Sequence, residues 1–183
     1  MEENQGQPTL LNNAIRWGLI TAGISIVLTI LCYVIDYSIM VTLKFGLLSL
    51  VIFFGIVIYG GIDYRKSQGG FLSYGKAYQH GFLIMAVSGL AGTLFAMLLY
   101  HVIDPELPQK LVDASLDNTR AMLEKFGVPE DGMDEAIEKA KADTAARFTL
   151  WGQTKGYLFV LIFAAIISLI TSLFVRKNQP IEA

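Results

Sequence analysis

The sequence predicts an all-α integral membrane protein. Four transmembrane helices form a four-helix bundle, and an extracytoplasmic helical hairpin lies between spans three and four. Three observations predict this. Trp17–Ile35, Phe45–Ile62, Gly81–Tyr100 and Gly156–Val175 carry no charged residue, and ~20 apolar helical residues match the ~30 Å hydrocarbon core of a bilayer. Eleven of the sixteen acidic residues fall within residues 104–153. Short loops at one end of the spans collect Arg65, Lys66, Lys76, Arg176 and Lys177. Composition agrees: 54% of residues are apolar and 16% charged, against roughly 45–50% and about 25% in soluble domains.

Taken in order, residues 1–12 are a polar tail. The first span is Asn13–Ile35, within a membrane region of residues 13–103. It is longer than a signal-peptide core and lacks a small-residue cleavage site, so it is read as retained. Gly18, Ala22 and Ser25 form a small-residue stripe that lets a neighbouring helix approach closely. Cys32 lies in this run and excludes an intramolecular disulfide; its reading is a small packed hydrophobe. A short turn at Asp36–Thr42 makes the second span, Lys44–Ile62, an antiparallel neighbour. Residues 63–76 are a basic loop, with a turn at Gly69-Gly70 and Ser73 as a helix cap. The third span, Lys76–Ile103, carries Ser88, Gly92 and Ala96 at i, i+4, i+8, and this stripe is read as the central contact ridge.

Residues 104–153 follow a helical pattern. Asp104-Pro105 opens a first amphipathic helix and Gly127-Val128-Pro129 breaks it. A second helix begins near Asp131, with Met133, Ile137, Phe148 and Trp151 on one partly apolar stripe suited to a partner. The fourth transmembrane segment occupies residues 154–177, its apolar run Lys155–Val175 carrying Ala164 and Ser168 as a packing face. Residues 178–183 form a C-terminal tail.

Short loops rich in Lys and Arg stay in the cytoplasm. Arg65, Lys66, Lys76, Arg176 and Lys177 therefore place both termini and the 63–76 loop on the cytoplasmic side of the inner membrane. The acidic hairpin faces outward.

Candidate chemistry is sparse. His80 and His101 lie at opposite ends of span three, roughly 31 Å apart at ~1.5 Å per residue, too far to share one metal. Each is read as an interfacial hydrogen-bonding residue, and His101 can pair with Asp104 at i, i+3. The spans hold no ionisable group of the kind that marks a proton path. Hydrolase, zincin, Walker and dinucleotide motifs are missing. No catalytic, cofactor-binding or metal-binding residues are expected, and the basic loop is too short for a nucleic-acid surface. The expected partners are the lipid bilayer and a protein partner or second copy, bound by the hairpin without enzymatic activity. The alternative is a small-solute transport or channel subunit, with hydroxyls lining the path.

Tyr64-Arg65 after span two, Phe71-x-x-Tyr74-Gly75-Lys76-Ala77 leading to Gly81, and Asp104-Pro105 after span three occur in a distinctive order. With these motifs, the chain resembles over residues 10–177 a bacterial four-span membrane-protein family of unknown function, common in Bacteroidetes. The resemblance implies four spans with a long charged segment between the third and fourth. It implies no activity, cofactor or site residue.

Overall fold

Long apolar runs become helices because an unpaired backbone N–H or C=O in hydrocarbon is costly, and a helix satisfies these groups within the segment. The computed structural model describes residues 7–179, apart from the side chain of Asp131. Residues 1–6 and 180–183, within the tails expected at 1–12 and 178–183, lie outside the described residues. The elements are α1 (Leu10–Ile35), α2 (Leu43–Ser67), α3 (Tyr74–Leu98), α4 (Leu107–Lys125), α5 (Glu130–Phe148) and α6 (Leu150–Val175). A 3-10 turn at Tyr37–Val41 joins α1 to α2, and a π-helical turn at Leu99–Ile103 continues α3. Four helical stretches are long and apolar enough to cross a membrane: α1, α2, α3 with its π turn, and α6. Among the described residues there is no strand, only an isolated antiparallel bridge between Leu72 and Lys177.

The elements end where local chemistry stops them. At the end of α2 the Gly69 N–H returns to the Lys66 carbonyl at 3.2 Å and the Gly70 N–H to Arg65 at 3.0 Å. This closure puts Gly69 at φ +78°, a conformation that glycine adopts without the Cβ penalty. The end of α4 repeats it: Gly127, at φ +70°, donates to Glu124 at 3.0 Å and Val128 to Leu123 at 3.1 Å. In the α1–α2 turn, the Asp36 carboxylate accepts the Ser38 backbone N–H at 2.9 Å. The Ser38 hydroxyl and N–H hold that carboxyl below its ordinary range.

The chain divides into two compact units. The first comprises the chain up to Ser25, Leu50–Gly92 and the chain from Leu158. Its core holds Ala14, Val57, Ile84, Met85 and Ala164, with Trp17, Phe53 and Ile167 packed around them. A second cluster joins Tyr64, Leu72, Ala77 and Val175. The second unit comprises Ile26–Ser49 and Thr93–Tyr157. There Leu99, Leu107 and Leu111 form the core, with Tyr33, Met40, Phe95, Tyr100 and Phe148 against it.

The distribution of side chains inverts that of a water-soluble protein. Along the apolar run of α6 from Gly156 to Val175 the buried positions are Ala164, Ser168, Thr171, Ser172 and Val175, while Phe159, Ile162, Ile166, Ile170 and Phe174 are exposed. Large apolar faces are rarely left open to water. Small and hydroxylated residues inside with large hydrophobes outside is the arrangement that hydrocarbon solvent favours. The protein is a multi-pass membrane protein.

Candidate functional site

The densest polar chemistry lies in the first unit, where α1, α2 and α3 each bring polar side chains to one cluster. Asn13 and Trp17 lie one turn apart on α1, so both face the same neighbours. The Trp17 indole N–H donates to Asp63 Oδ2 at 2.9 Å, and the Asn13 amide nitrogen reaches the same oxygen at 3.4 Å. The Asn13 oxygen, 2.8 Å from His80 Nε2, can only accept, so Nε2 carries the proton. The result is a chain from carboxylate to amide to imidazole. Tyr64 stacks on His80 with ring centroids 4.7 Å apart and planes 6° from parallel. His80 is 0% exposed, Asn13 3% and Tyr64 3%.

Among the described residues, two groups near this cluster have no partner. His80 Nδ1 and Ser168 Oγ are buried and make no hydrogen bond. A Cβ built on Gly81, the residue after His80, would sit 3.5 Å from Thr171 Oγ1 and 3.6 Å from Ser168 Oγ. The hydroxyl face of α6 therefore packs directly against α3 at this turn. Among the described residues, no group of three or more His, Cys, Asp or Glu comes together to hold a metal.

Sequence reading had the residue types but not this constellation. It read His80 as a hydrogen-bonding residue at the membrane edge; the hydrogen bond is made, to Asn13, with the imidazole enclosed by protein. The available signal was a polar residue at Asn13, Asp63 and His80, each at the same end of a different apolar run. What hydropathy lacks is the rotation of each helix that turns these residues toward one another.

The second unit contains a separate polar arrangement. Asp104 Oδ2 accepts the Tyr33 hydroxyl at 3.2 Å, and Oδ1 accepts the N–H groups of Glu106 and Leu107, each at 3.1 Å. Lys110 Nζ lies 3.8 Å from Asp104 and 3.4 Å from Glu106. His101 does not pair with Asp104: its Nε2 meets the Gln153 amide nitrogen at 3.0 Å. The π turn explains this. The Asp104 N–H bonds to the Leu99 carbonyl five residues back, so positions 101 and 104 lose the i, i+3 alignment of an α-helix. Gln153 also donates to the Phe148 carbonyl at 3.0 Å, and Tyr100 meets Phe148 edge-on at 5.2 Å.

The expected packing residues have different surroundings. Gly18, Ala22, Ser88, Ala164 and Ser168 are buried, Ser25 is exposed, and Gly92 and Ala96 are half-buried. A Cβ on Gly18 would meet Val87 at 2.7 Å, while one on Gly92 would meet nothing within 4 Å. The buried ridge of α3 is Ala77, His80, Gly81, Ile84, Met85 and Ser88, nearer the N-terminus of α3 than the expected ridge through Gly92. Gly61 was missed by the sequence; a Cβ there would meet Val175 at 2.7 Å.

Among the basic residues, Arg65 donates to the Val175 carbonyl at 2.9 Å, and Lys177 lies 5.6 Å over the Phe71 ring. Lys66, Lys76 and Arg176 are exposed. The four residues read as one partner stripe do not share a helix. Met133, Ile137 and Phe148 are half-buried on α5. Trp151 belongs to α6 and is exposed under the Lys155 ammonium, 5.2 Å from its ring centroid. The chain breaks between them at Thr149, which is extended at ψ 154°.

Neither a curated protein nor a solved structure matches the chain. The family described as Protein of unknown function (DUF4199) matches residues 16–177. That match takes in all four apolar helices, save the first six residues of α1, and the charged segment before the last, and the protein belongs to this family.

Proposed function

We propose that this is a non-enzymatic protein of the inner membrane that binds a protein partner, or a second copy of itself, through its hairpin α4–α5 on the outer side. One observation carries the reading. Phe126 is 77% and Met122 52% exposed on a helical pair otherwise surfaced by charged and small residues. Apolar residues of this size at a hairpin end are what a docking partner covers. Met133, Ile137 and Phe148 are half-buried against the protein itself, so the tip leads and α5 supports. A photo-crosslinker at Phe126 in native membranes is expected to capture protein. Adducts with lipid alone would remove this reading.

A second reading, a small-solute transport subunit, draws on the enclosed Asn13–Asp63–His80 cluster and the unpartnered Ser168 hydroxyl. Buried polar groups in a membrane helix are costly and mark pathways when they are not packing devices. Solute flux in proteoliposomes tests it. Flux that falls in His80→Phe while helicity is kept would favour transport, and flux indifferent to the substitution would count against it.

A further inference from the structure

The turn between α2 and α3 and the chain leaving α6 enclose an open cup of about 350 Å³, lined by Gln68, Phe71, Ser73, Lys76, Lys177 and Asn178 among others. We propose that this cup binds the phosphate of an anionic phospholipid. The proposal is independent of the hairpin reading.

The positive charge is concentrated. Lys76 stands in the first turn of α3 and Lys177 just past α6. Among the described residues neither ammonium has a carboxylate within ion-pairing distance; the ion pairs present belong to Lys110. Among the described residues, no acidic side chain lines the cup. The first N–H groups of α3, which open beside Ser73, have no intrahelical acceptor. Orphan donors and the positive end of a helix dipole suit a phosphate oxygen.

The second cation is positioned by the fold. The Leu72 N–H donates to the Lys177 carbonyl at 2.9 Å and the Lys177 N–H returns to Leu72 at 3.0 Å. This bridge fixes the backbone of Lys177 beside the α2–α3 turn, and Phe71 lies beneath its ammonium at 5.6 Å. Arg65 is occupied by the Val175 carbonyl, which leaves Lys76 and Lys177 to meet an anion. The location selects the source of the phosphate. The cup is built from the ends of α2, α3 and α6, each apolar enough to span a bilayer, so it lies where headgroups lie. Its neighbours on the helices are acyl-chain surface, which a lipid covers and a free anion does not.

The test uses the full chain purified in neutral detergent, with phosphatidylglycerol binding followed by native mass spectrometry. One retained phosphatidylglycerol is expected, with phosphatidylcholine held far more weakly. The double variant Lys76→Gln/Lys177→Gln is expected to bind about 30-fold more weakly, from two headgroup cations at ~1 kcal/mol each. Lys44→Gln, outside the cup, should bind as the wild type does. Ser73→Glu, which places a carboxylate in the cup while keeping both lysines, should also abolish retention. It supplies the readout if the double variant fails to fold. Unchanged affinity in folded Lys76→Gln/Lys177→Gln or in Ser73→Glu, or equal retention of phosphatidylcholine, would overturn the proposal. Inorganic phosphate that competes as strongly as the lipid binds would make this a free-anion site and overturn the lipid assignment.

Discussion

Asn13 is the residue on which the polar cluster turns, because its amide answers two different needs at once. It donates toward Asp63 and accepts from His80. Truncation in Asn13→Ala leaves the His80 Nε2–H buried with no acceptor, a loss of about 1–3 kcal/mol. The expected outcome is a lower melting temperature in detergent, with Asn12→Ala, at the exposed neighbouring position, close to wild type. Replacing both partners, as in Asn13→Leu/His80→Phe, should recover part of the loss, since no donor is then stranded. A double-mutant cycle measures it. Glycines give a sharper contrast at the same scale. In Gly61→Ala the new methyl meets Val175 at 2.7 Å, whereas Gly92→Ala meets nothing within 4 Å. The first should lose about 1–3 kcal/mol by overpacking. The second should be silent in the same thermal assay. Gly92 was legible in the sequence as part of a tidy i, i+4, i+8 stripe, and Gly61 was not. Spacing shows that a helix has a small-residue face; which face a neighbour uses depends on where the neighbour lies.

Among the elements, α4 is tied down at its start by one side chain. Asp104 accepts the N–H groups of Glu106 and Leu107, receives the Tyr33 hydroxyl and lies near Lys110. Asp104→Ala removes the acceptor for both N–H groups and should destabilise the start of α4 by about 1 kcal/mol. Faster amide hydrogen exchange in residues 106–110, with exchange in α6 unchanged, is the expected readout. The sequence marked Asp104-Pro105 as a helix opening, and the helix begins at Leu107. It allowed His101 to pair with Asp104, because i, i+3 spacing brings residues together on an α-helix. The π turn at Leu99–Ile103 is a local change of helical period with no compositional signature, and it sends His101 to Gln153 instead. The junction of α5 and α6 shows the same limit. Hydropathy places the start of the last span near its first long apolar run, but α6 begins at Leu150, so Trp151 leaves the hairpin. A Cβ on Gly152 would collide with the Ala146 carbonyl, so the glycine permits the close return of the chain after Thr149.

At the scale of the whole molecule, the distribution of basic residues is the argument for orientation. Arg65 and Lys66 stand in the last turn of α2, Lys76 in the first turn of α3, and Arg176 and Lys177 follow α6; such residues in short flanks are retained in the cytoplasm. Reporter fusions at Gln68 and Glu124 check this. A cytoplasmic reporter should be active at the first and silent at the second, and the reverse pattern would invert the assignment. The sequence by itself determined the membrane class, the four apolar helices and the charged segment before the last. Those follow from run length and composition, which sum over neighbouring residues and need no partner. Only the tertiary structure decided that Asn13, Asp63 and His80 meet, that Tyr64 stacks on the imidazole, and that Lys177 returns to Leu72. These contacts join positions 16 to 105 residues apart. They depend on the rotation and register of whole helices, which close packing of small residues sets and hydropathy does not encode.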